Sequence, residues 1–303
     1  MHIISLRDLS DSDLRAIVHR GAAFAADRTD HDEPLRGRIV GVYFSRTSTR
    51  TRTAFTTGAL RLGAKVIAYG PGDLQTNTGE TLQDTARVFG GMLDALVIRT
   101  AGSPDDMRTF AAHCGAVVNA MSADEHPTQA LADLTTLQVH FGRVEDLRVV
   151  YVGEGNNTAA ALALALPRFA GTHLDLRTPA GYGLDPALLA EAAALADRHG
   201  SRISERHDLT DLPQDADVVY TTRWQTTGTS KPDPDWRTVF APFQVNAALM
   251  DTFPKAVFLH DLPAHRGEDV TADVLEGPRS IAFTQARHKL HSAMAVLEWC
   301  LPR

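Results

Sequence analysis

Short runs of apolar, β-branched residues alternate with alanine-rich stretches along this chain of 303 residues. Strands separated by helical stretches are typical of parallel sheets built from βαβ units, so we predict an α/β fold. Because the chain exceeds the usual size of one domain, we expect two such domains. The predicted strands are 39–44, 65–69, 95–99, 116–119, 147–152, 173–177, 202–205, 216–220 and 256–260.

The composition excludes several classes of protein. A net charge of −7 argues against nucleic acid as the main partner, because phosphate backbones are bound by basic patches. We find no apolar run long enough for a membrane span and no signal-peptide pattern, so we expect a cytoplasmic protein. The only cysteines, Cys114 and Cys300, are too few for a disulfide framework or a metal cluster.

A run of hydroxyl and guanidinium side chains, FSRTSTRTRT at 44–53, follows the first predicted strand. We predict a helix at 53–62, and the unpaired N–H groups of a helix start attract anions. Two arginines of the run can bind phosphate oxygens bidentately, and Ser48, Thr49 and Thr51 can donate hydrogen bonds. The run therefore predicts a phosphate-binding cradle; a solvated polar loop is the alternative.

A second motif, His-Pro-Thr-Gln at 126–129, precedes another predicted helix at 130–140. Together, the Ser-Thr-Arg-Thr-Arg and His-Pro-Thr-Gln motifs resemble those of the aspartate/ornithine carbamoyltransferase family. The resemblance extends to the segments 79–88, 243–246, 259–267 and 285–291, the last three being most similar to the ornithine branch. It therefore covers nearly the whole chain.

The resemblance implies two doubly wound parallel-sheet domains joined by interdomain helices. Residues 1–135 and 286–303 would bind carbamoyl phosphate, and residues 136–285 would bind the amine or amino acid. The family also implies a homotrimer with shared active sites, and a reaction that needs no metal and no organic cofactor. Transfer of the carbamoyl group to the amine would release phosphate.

The resemblance also assigns residues to carbamoyl phosphate. Arg50, Thr51, Arg99 and His126 would be catalytic, stabilising the charge on the carbonyl oxygen and the leaving phosphate. Arg99 could instead simply end a strand at solvent, and His126 could be structural. Gln75 matches a residue lent to the adjacent subunit, although it could be a solvated loop residue. The full implied set is Ser48, Thr49, Arg50, Thr51, Gln75, Arg99, His126, Gln129, Leu262 and Lys289.

The amine-binding segment departs from both branches of the family. The ornithine branch carries Asp-x-Trp-x-Ser-Met-Gly, whereas this chain has TRWQTTG at 222–228. The carboxylate that would hold an α-ammonium group is replaced by Thr222. Arg223 and Gln225 instead resemble the Thr-Arg-x-Gln of the aspartate branch, which binds carboxylates. The alternative is that Arg223 is a surface charge.

Asp261 is a further departure, because the ornithine branch has cysteine in the corresponding His-Cys-Leu-Pro segment. A carboxylate there could pair with a cationic group or accept a proton from the nucleophile, unless only the backbone carbonyl matters. The irregular segment 226–235 is predicted to be a mobile loop. The implied amine-binding residues are Asn156, Asn157, Thr222, Arg223, Gln225, Thr226, Thr227 and Asp261.

We therefore expect a carbamoyltransferase that acts on a carboxylated, possibly diamino, substrate other than ornithine in specialised biosynthesis. A genuine ornithine or aspartate carbamoyltransferase is the alternative within the family. A catalytically inactive anion-binding regulatory subunit is an alternative of another class. The partial glycine pattern Gly153-Glu154-Gly155 leaves nicotinamide binding open, although Thr158 stands where a third glycine would be expected.

Overall fold

A computed structural model describes residues 1–26, 32–226 and 228–302 of the chain. The chain divides into two compact units. Unit 1 comprises Met1–Val139 and Arg287–Arg303, and unit 2 comprises His140–Ala286.

Unit 1 is built on a four-stranded parallel sheet with the order β2-β1-β3-β4. Its strands are β1 Ile39–Phe44, β2 Lys65–Tyr69, β3 Ala95–Arg99 and β4 Val117–Asn119. Its helices are α1 Asp11–Ala26, α2 Arg50–Arg61, α3 Leu82–Gly90, α4 Asp105–Ala111 and most of α5 Pro127–Phe141, with 3₁₀ turns at Leu6–Asp8 and Gln75–Thr78.

Unit 2 is built on a five-stranded parallel sheet with the order β7-β6-β5-β8-β9. Its strands are β5 Arg148–Val152, β6 His173–Arg177, β7 Arg202–Arg206, β8 Val218–Thr221 and β9 Val257–His260. Its helices are α6 Asn157–Ala165, α7 Pro186–His199, α8 Trp236–Phe240, α9 Ala247–Asp251 and α10 Ala272–Leu275, with 3₁₀ turns at Leu166–Arg168 and Ala241–Phe243. The last helix, α11 Ala282–Cys300, begins in unit 2 and ends in unit 1.

The predicted α/β fold is confirmed, and each predicted strand is present with ends that move by two residues at most. Burial explains why the strands were recognisable: β3 and β8 are buried along their whole length, as expected for inner strands of parallel sheets. The edge strands β2 and β7 are partly exposed. Within the described residues, no helix has the length and apolar character needed to cross a membrane.

The helix after the polar run was predicted to begin at residue 53, but α2 begins at Arg50. Thr51 and Phe55 are one helical turn apart and both are buried, so the buried face of α2 extends into the run. Polar composition suggested a loop because hydroxyl side chains favour turns, and packing of this face overrides that preference.

In each sheet, successive strands are added first on one side of the first strand and then on its other side. In unit 1 the change of side lies between β1 and β3, and in unit 2 it lies between β5 and β8. Loops at the carboxyl ends of such neighbouring strands diverge and leave a crevice, which is where open α/β sheets bind ligands. The loops that follow β1, β3, β5 and β8 are therefore the places to look for a site.

Arg177 at the end of β6 holds the long connection between β7 and β8 in place. Its side chain is 2% exposed and donates to both carboxylate oxygens of Asp175, at 2.7 and 2.9 Å. It also donates to the carbonyl oxygens of Asp208, Thr210 and Asp211. One buried guanidinium thereby satisfies acceptors that would otherwise be left unpaired.

We expect Arg177→Met to lower the free energy of unfolding by about 3–5 kcal/mol, because it leaves a partly buried carboxylate and three carbonyl groups without their donor. Urea unfolding monitored by circular dichroism measures this change. Arg206→Met is the matched control, since Arg206 contacts Asp208 and Asp211 from the exposed side of the same connection. Equal shifts in the two variants would contradict the anchoring role of Arg177.

Candidate active site

The polar run of unit 1 lies at the carboxyl end of β1, beside the end of β3. Phe44 pairs with Arg99 in the sheet, and both the N–H and the hydroxyl of Ser45 donate to the Arg99 carbonyl, at 3.0 and 3.1 Å. The chain then passes Ser48, which is partly buried, and enters α2 at Arg50. The N-cap residue Thr49 makes no side-chain capping bond, so its hydroxyl does not occupy the helix start.

His126 reaches the same region from the loop after β4 and precedes the first residue of α5. Thr51, His126, Thr128 and Lys289 together line one small cavity in unit 1. Burial, reinforced by the nearby positive charges of Arg99 and Lys289, holds the pKa of His126 well below its ordinary value of 6.5. The imidazole is therefore neutral at neutral pH, and it can donate a hydrogen bond without carrying a charge.

Gln129 forms a buried chain of polar contacts with residues distant in sequence. Its amide nitrogen donates to Asp133 at 2.7 Å, and its amide oxygen accepts from the Lys289 ammonium group of α11. Gln129 is 1% exposed and Asp133 is 1% exposed, so this chain is shielded from water. Lys289 thus lies beside Gln129 and His126, two residues that the sequence assigned to the same set.

Gln75 is not part of this cluster. It lies on an exposed 3₁₀ turn, and its side-chain oxygen accepts from the Thr78 hydroxyl at 2.8 Å. Its hydrogen-bond partners, Thr78 and Glu80, are both close to it in sequence. Gln75 therefore makes no contribution to the cradle of its own chain in this structure.

In unit 2, the loop after β5 carries the two predicted asparagines. Asn156 caps α6, its side-chain oxygen accepting from the N–H groups of Thr158 and Ala159 at 3.0 and 3.2 Å. Asn157 is buried in the first turn. Glycine is needed at position 155 because a Cβ there would collide with the backbone of Gly183 and Leu184. The glycine pattern at 153–155 is thus explained by packing without a dinucleotide.

The loop after β8 holds most of the remaining amine-binding candidates. Thr222 is buried, and the Nε atom of Arg223 donates to the Gln225 carbonyl. The side-chain amide of Gln225 donates to the Thr229 carbonyl at 2.7 Å. The Thr226 hydroxyl is buried and has no hydrogen-bond partner within the described chain. The predicted residue Thr227 lies outside the described residues.

Asp261 and Leu262 follow β9, the strand next to β8. The Thr158 hydroxyl donates to one oxygen of Asp261 at 3.0 Å, and His260 Nδ1 lies 3.4 Å from the other. His260 Nδ1 accepts from the Leu262 N–H at 2.8 Å, so its proton is assigned to Nε2, which faces the buried Asp269 at 3.3 Å.

The sequence did not indicate the contacts that Lys231 makes in unit 2. Lys231 forms an ion pair with Glu154 and lies over the rings of Tyr182, Trp236 and Phe240, with Nζ 4.7, 5.4 and 4.7 Å from their centroids. These partners come from separate segments, and a lysine in a loop rich in Gly and Pro carries no signal that it is buried. The loop 226–235 was predicted only as irregular and mobile; its described part contains no helix or strand.

Comparison with known proteins agrees with this architecture. Residues 1–139 match the model of the carbamoyl-P binding domain of aspartate/ornithine carbamoyltransferase, and residues 145–300 match its Asp/Orn binding domain. The ornithine carbamoyltransferase of Gloeobacter violaceus is 37% identical over 297 residues, covering 97% of this chain and 94% of the relative. That of Acidothermus cellulolyticus is 39% identical over 303 residues, covering 99% and 96%.

Solved structures give the same result. The crystal structure of ornithine carbamoyltransferase from Gloeobacter violaceus superposes with a TM-score of 0.87 at 35% identity, covering 99% of this chain and 98% of that one. The enzyme from Pyrococcus furiosus superposes with a TM-score of 0.92 at 34% identity, covering 98% and 96%. Fold and matched domains define a carbamoyltransferase. The chain belongs to the aspartate/ornithine carbamoyltransferase family.

The low pKa of His126 predicts a pH dependence of stability. As pH falls below about 6.5, His126 takes up a proton in the unfolded chain but not in the folded chain. Stability that is present above this pH is therefore lost below it. The free energy of unfolding of the parent protein should decrease between pH 6.5 and 5, and we expect His126→Gln to make this decrease smaller by up to about 2 kcal/mol. Urea midpoints at both pH values measure it.

The exposed His19 on α1 provides the control for this experiment. His19→Gln should retain the acid sensitivity of the parent protein, since it leaves the buried His126 in place. An unchanged difference between the two pH values in His126→Gln would contradict the burial of a neutral imidazole at this position.

Proposed function

We propose that the protein transfers the carbamoyl group of carbamoyl phosphate to a short, carboxylated diamino acid other than ornithine. The observation that carries this proposal is a displaced carboxylate. Thr221 and His260 are register partners in β8 and β9, so Thr222 and Asp261 are the next residues of adjacent strands. The carboxylate that the ornithine branch has at the position of Thr222 is absent here, and Asp261 supplies one directly after the neighbouring strand.

The charges that remain at this end of unit 2 support a zwitterionic acceptor. Asp261 has no lysine or arginine within ion-pair distance among the described residues, and the Nδ1 atom of its neighbour His260 accepts its hydrogen bond from the Leu262 N–H. The terminal nitrogens of Arg223 make no hydrogen bond or ion pair within the same residues. Arg223 can therefore bind a substrate carboxylate, while Asp261 binds an ammonium group or the attacking amine.

Unit 1 supplies the groups for the other substrate. Arg50, Thr51 and the N–H groups at the start of α2 would bind the phosphate, with Ser48 and Thr49 beside them. Arg99 and Lys289 would add positive charge near His126. The neutral imidazole of His126 would donate to the carbonyl oxygen as it gains negative charge, with Gln129 orienting the carbamoyl group.

The reaction then follows from these contacts. The neutral amine attacks the carbamoyl carbon, the tetrahedral intermediate collapses, and the carbon–oxygen bond to phosphate breaks. The departing phosphate can accept the proton from the amine nitrogen, so a protein base is not required. Orientation and electrostatic stabilisation would supply most of the rate enhancement. The proposal includes no metal and no organic cofactor, since substrates and side chains account for every step.

The proposal includes a homotrimer that shares its active sites. Gln75 lies on an exposed turn away from the cradle of its own chain, as a residue lent to a neighbour would. The edge strand β2 exposes Ile67, and the adjacent helix α2 exposes Leu60, which supports an interface on this side of unit 1. Analytical ultracentrifugation tests the trimer. We further propose that the enzyme acts in the cytoplasm.

Arg50→Ala tests the anion cradle. We expect it to lower kcat/KM by about a hundredfold or more, because it removes a charge that stabilises the departing phosphate. Arg61→Ala, at the exposed end of the same helix, should retain full activity. Phosphate release measures both variants, and circular dichroism checks their folding. Near-normal turnover in a folded Arg50→Ala would refute the role of the cradle.

Acceptor identity is tested by incubating the enzyme with carbamoyl phosphate and ornithine, putrescine, aspartate, 2,3-diaminopropionate, 2,4-diaminobutyrate or lysine. We expect fastest turnover with one of the two short diamino acids, identified by mass spectrometry as a product in which carbamoyl replaces hydrogen. Fast citrulline formation from ornithine would refute the proposed acceptor class and favour a genuine ornithine carbamoyltransferase.

Arg223→Gln sharpens this test. We expect it to lower kcat/KM for the preferred amino acid about ten- to a hundredfold, the worth of one charge-assisted hydrogen bond. The diamine that lacks the carboxylate but is otherwise identical serves as the comparison substrate, and its rate should not fall. Equal losses with both substrates would show that Arg223 does not bind the carboxylate.

A further inference from the structure

The Lys231 ammonium group lies in an unusual environment for a loop lysine. Its side chain is 4% exposed, and it is enclosed by the Glu154 carboxylate and three aromatic rings. We call this set the lysine cage, consisting of Glu154, Tyr182, Trp236 and Phe240. Rings attract a cation through their negative faces, and a carboxylate supplies the opposite charge.

The lysine cage connects three segments of unit 2. Glu154 belongs to the loop after β5, Tyr182 precedes α7, and Trp236 and Phe240 belong to α8. The Gly155 N–H also donates to the Tyr182 carbonyl at 2.7 Å, which joins two of these segments directly. Lys231 thereby fixes the loop after β8 to the loop that carries Asn156 and Asn157.

Buried polar atoms close to the lysine cage are incompletely satisfied. Glu154 Oε2, Trp224 Nε1 and Thr226 Oγ1 are buried and have no hydrogen-bond partner within the described chain. Trp224 packs with Trp236 and Phe240, so its indole lies on the rim of the cage. A buried group of this kind needs a partner from outside the chain, such as an ordered water or a ligand.

The ion pair between Lys231 and Glu154 also determines the charge near the acceptor-binding residues. Glu154 lies in the same loop as Asn156, so without a partner its carboxylate would add a second negative charge beside the acceptor-binding residues. Burial raises the pKa of Glu154, and the Lys231 ammonium opposes that effect. With Glu154 engaged by Lys231, Asp261 remains the carboxylate available to the acceptor.

We propose that Lys231 is a positioning and specificity-determining residue, whose ammonium group in the lysine cage fixes the acceptor-binding loop and neutralises Glu154. The inference rests on the proposed function only in placing the acceptor in unit 2. Lys231 touches neither substrate and acts through residues 222–226. Lys231, a residue of the loop itself, thus holds the loop in place through an ion pair and contacts with aromatic rings.

The test compares Lys231→Met, Lys231→Arg and Glu154→Gln with the parent enzyme, using the amine from the panel that turns over fastest. Lys231→Met should raise the KM for this amine at least tenfold while the Kd for carbamoyl phosphate stays within twofold. Hydrogen–deuterium exchange of residues 222–240 should become faster. Lys231→Arg should recover part of the lost affinity, because arginine keeps the charge and stacks on aromatic rings.

Lys255→Met is the matched control, since Lys255 is an exposed lysine of the same unit. It should change neither KM nor exchange. An amine KM within twofold of the parent together with unchanged exchange would overturn the proposal, as would a parallel rise in the carbamoyl phosphate Kd. If Lys231→Met does not fold, Glu154→Gln carries the same comparison, because it removes the carboxylate that holds Lys231. Because exchange needs no amine, failure of the proposed acceptor class remains a separate result.

Discussion

Two helix starts at the carboxyl ends of parallel strands determine what each unit can bind. Backbone N–H groups at a helix start need acceptors, and the two units meet this need differently. In unit 1, Thr49 gives α2 no side-chain cap. In unit 2, the Asn156 side chain accepts from two N–H groups of α6. The uncapped start of α2 favours binding of an external anion. The N–H groups at the start of α6 are already paired with Asn156, so this end of unit 2 suits a ligand that is bound by side chains.

The sequence was informative where local patterns decide the structure. The strands are short apolar runs, and their burial in parallel sheets makes those runs continuous, which is why the α/β fold could be predicted. The loops after β1 and β4 could be assigned because their chemistry is concentrated in consecutive residues. The start of α2 was placed too late because its first turn consists of polar residues whose buried face is visible only in three dimensions.

What escaped prediction consists of contacts between distant segments. Lys231 and Glu154 are 77 residues apart. Gln129 and Lys289 are 160 residues apart, and only the family resemblance placed them in one set. No spacing rule brings such residues together, because their meeting depends on strand order and on loop conformation. The hydrogen bond from Thr158 to Asp261 belongs to the same class. The contacts of Lys231 with Glu154 and of Thr158 with Asp261 both lie in unit 2.

Unit 1 is assembled from both ends of the chain, which has a consequence for synthesis on the ribosome. Arg20 pairs with Glu298, the Trp299 indole donates to Asp13 at 3.0 Å, and Lys289 reaches Gln129. These partners are translated only after all of unit 2. The strands of both sheets precede α11 in the sequence, so unit 1 can be completed only after both sheets have been translated. An incomplete nascent chain would therefore lack the Lys289 charge that lies near His126.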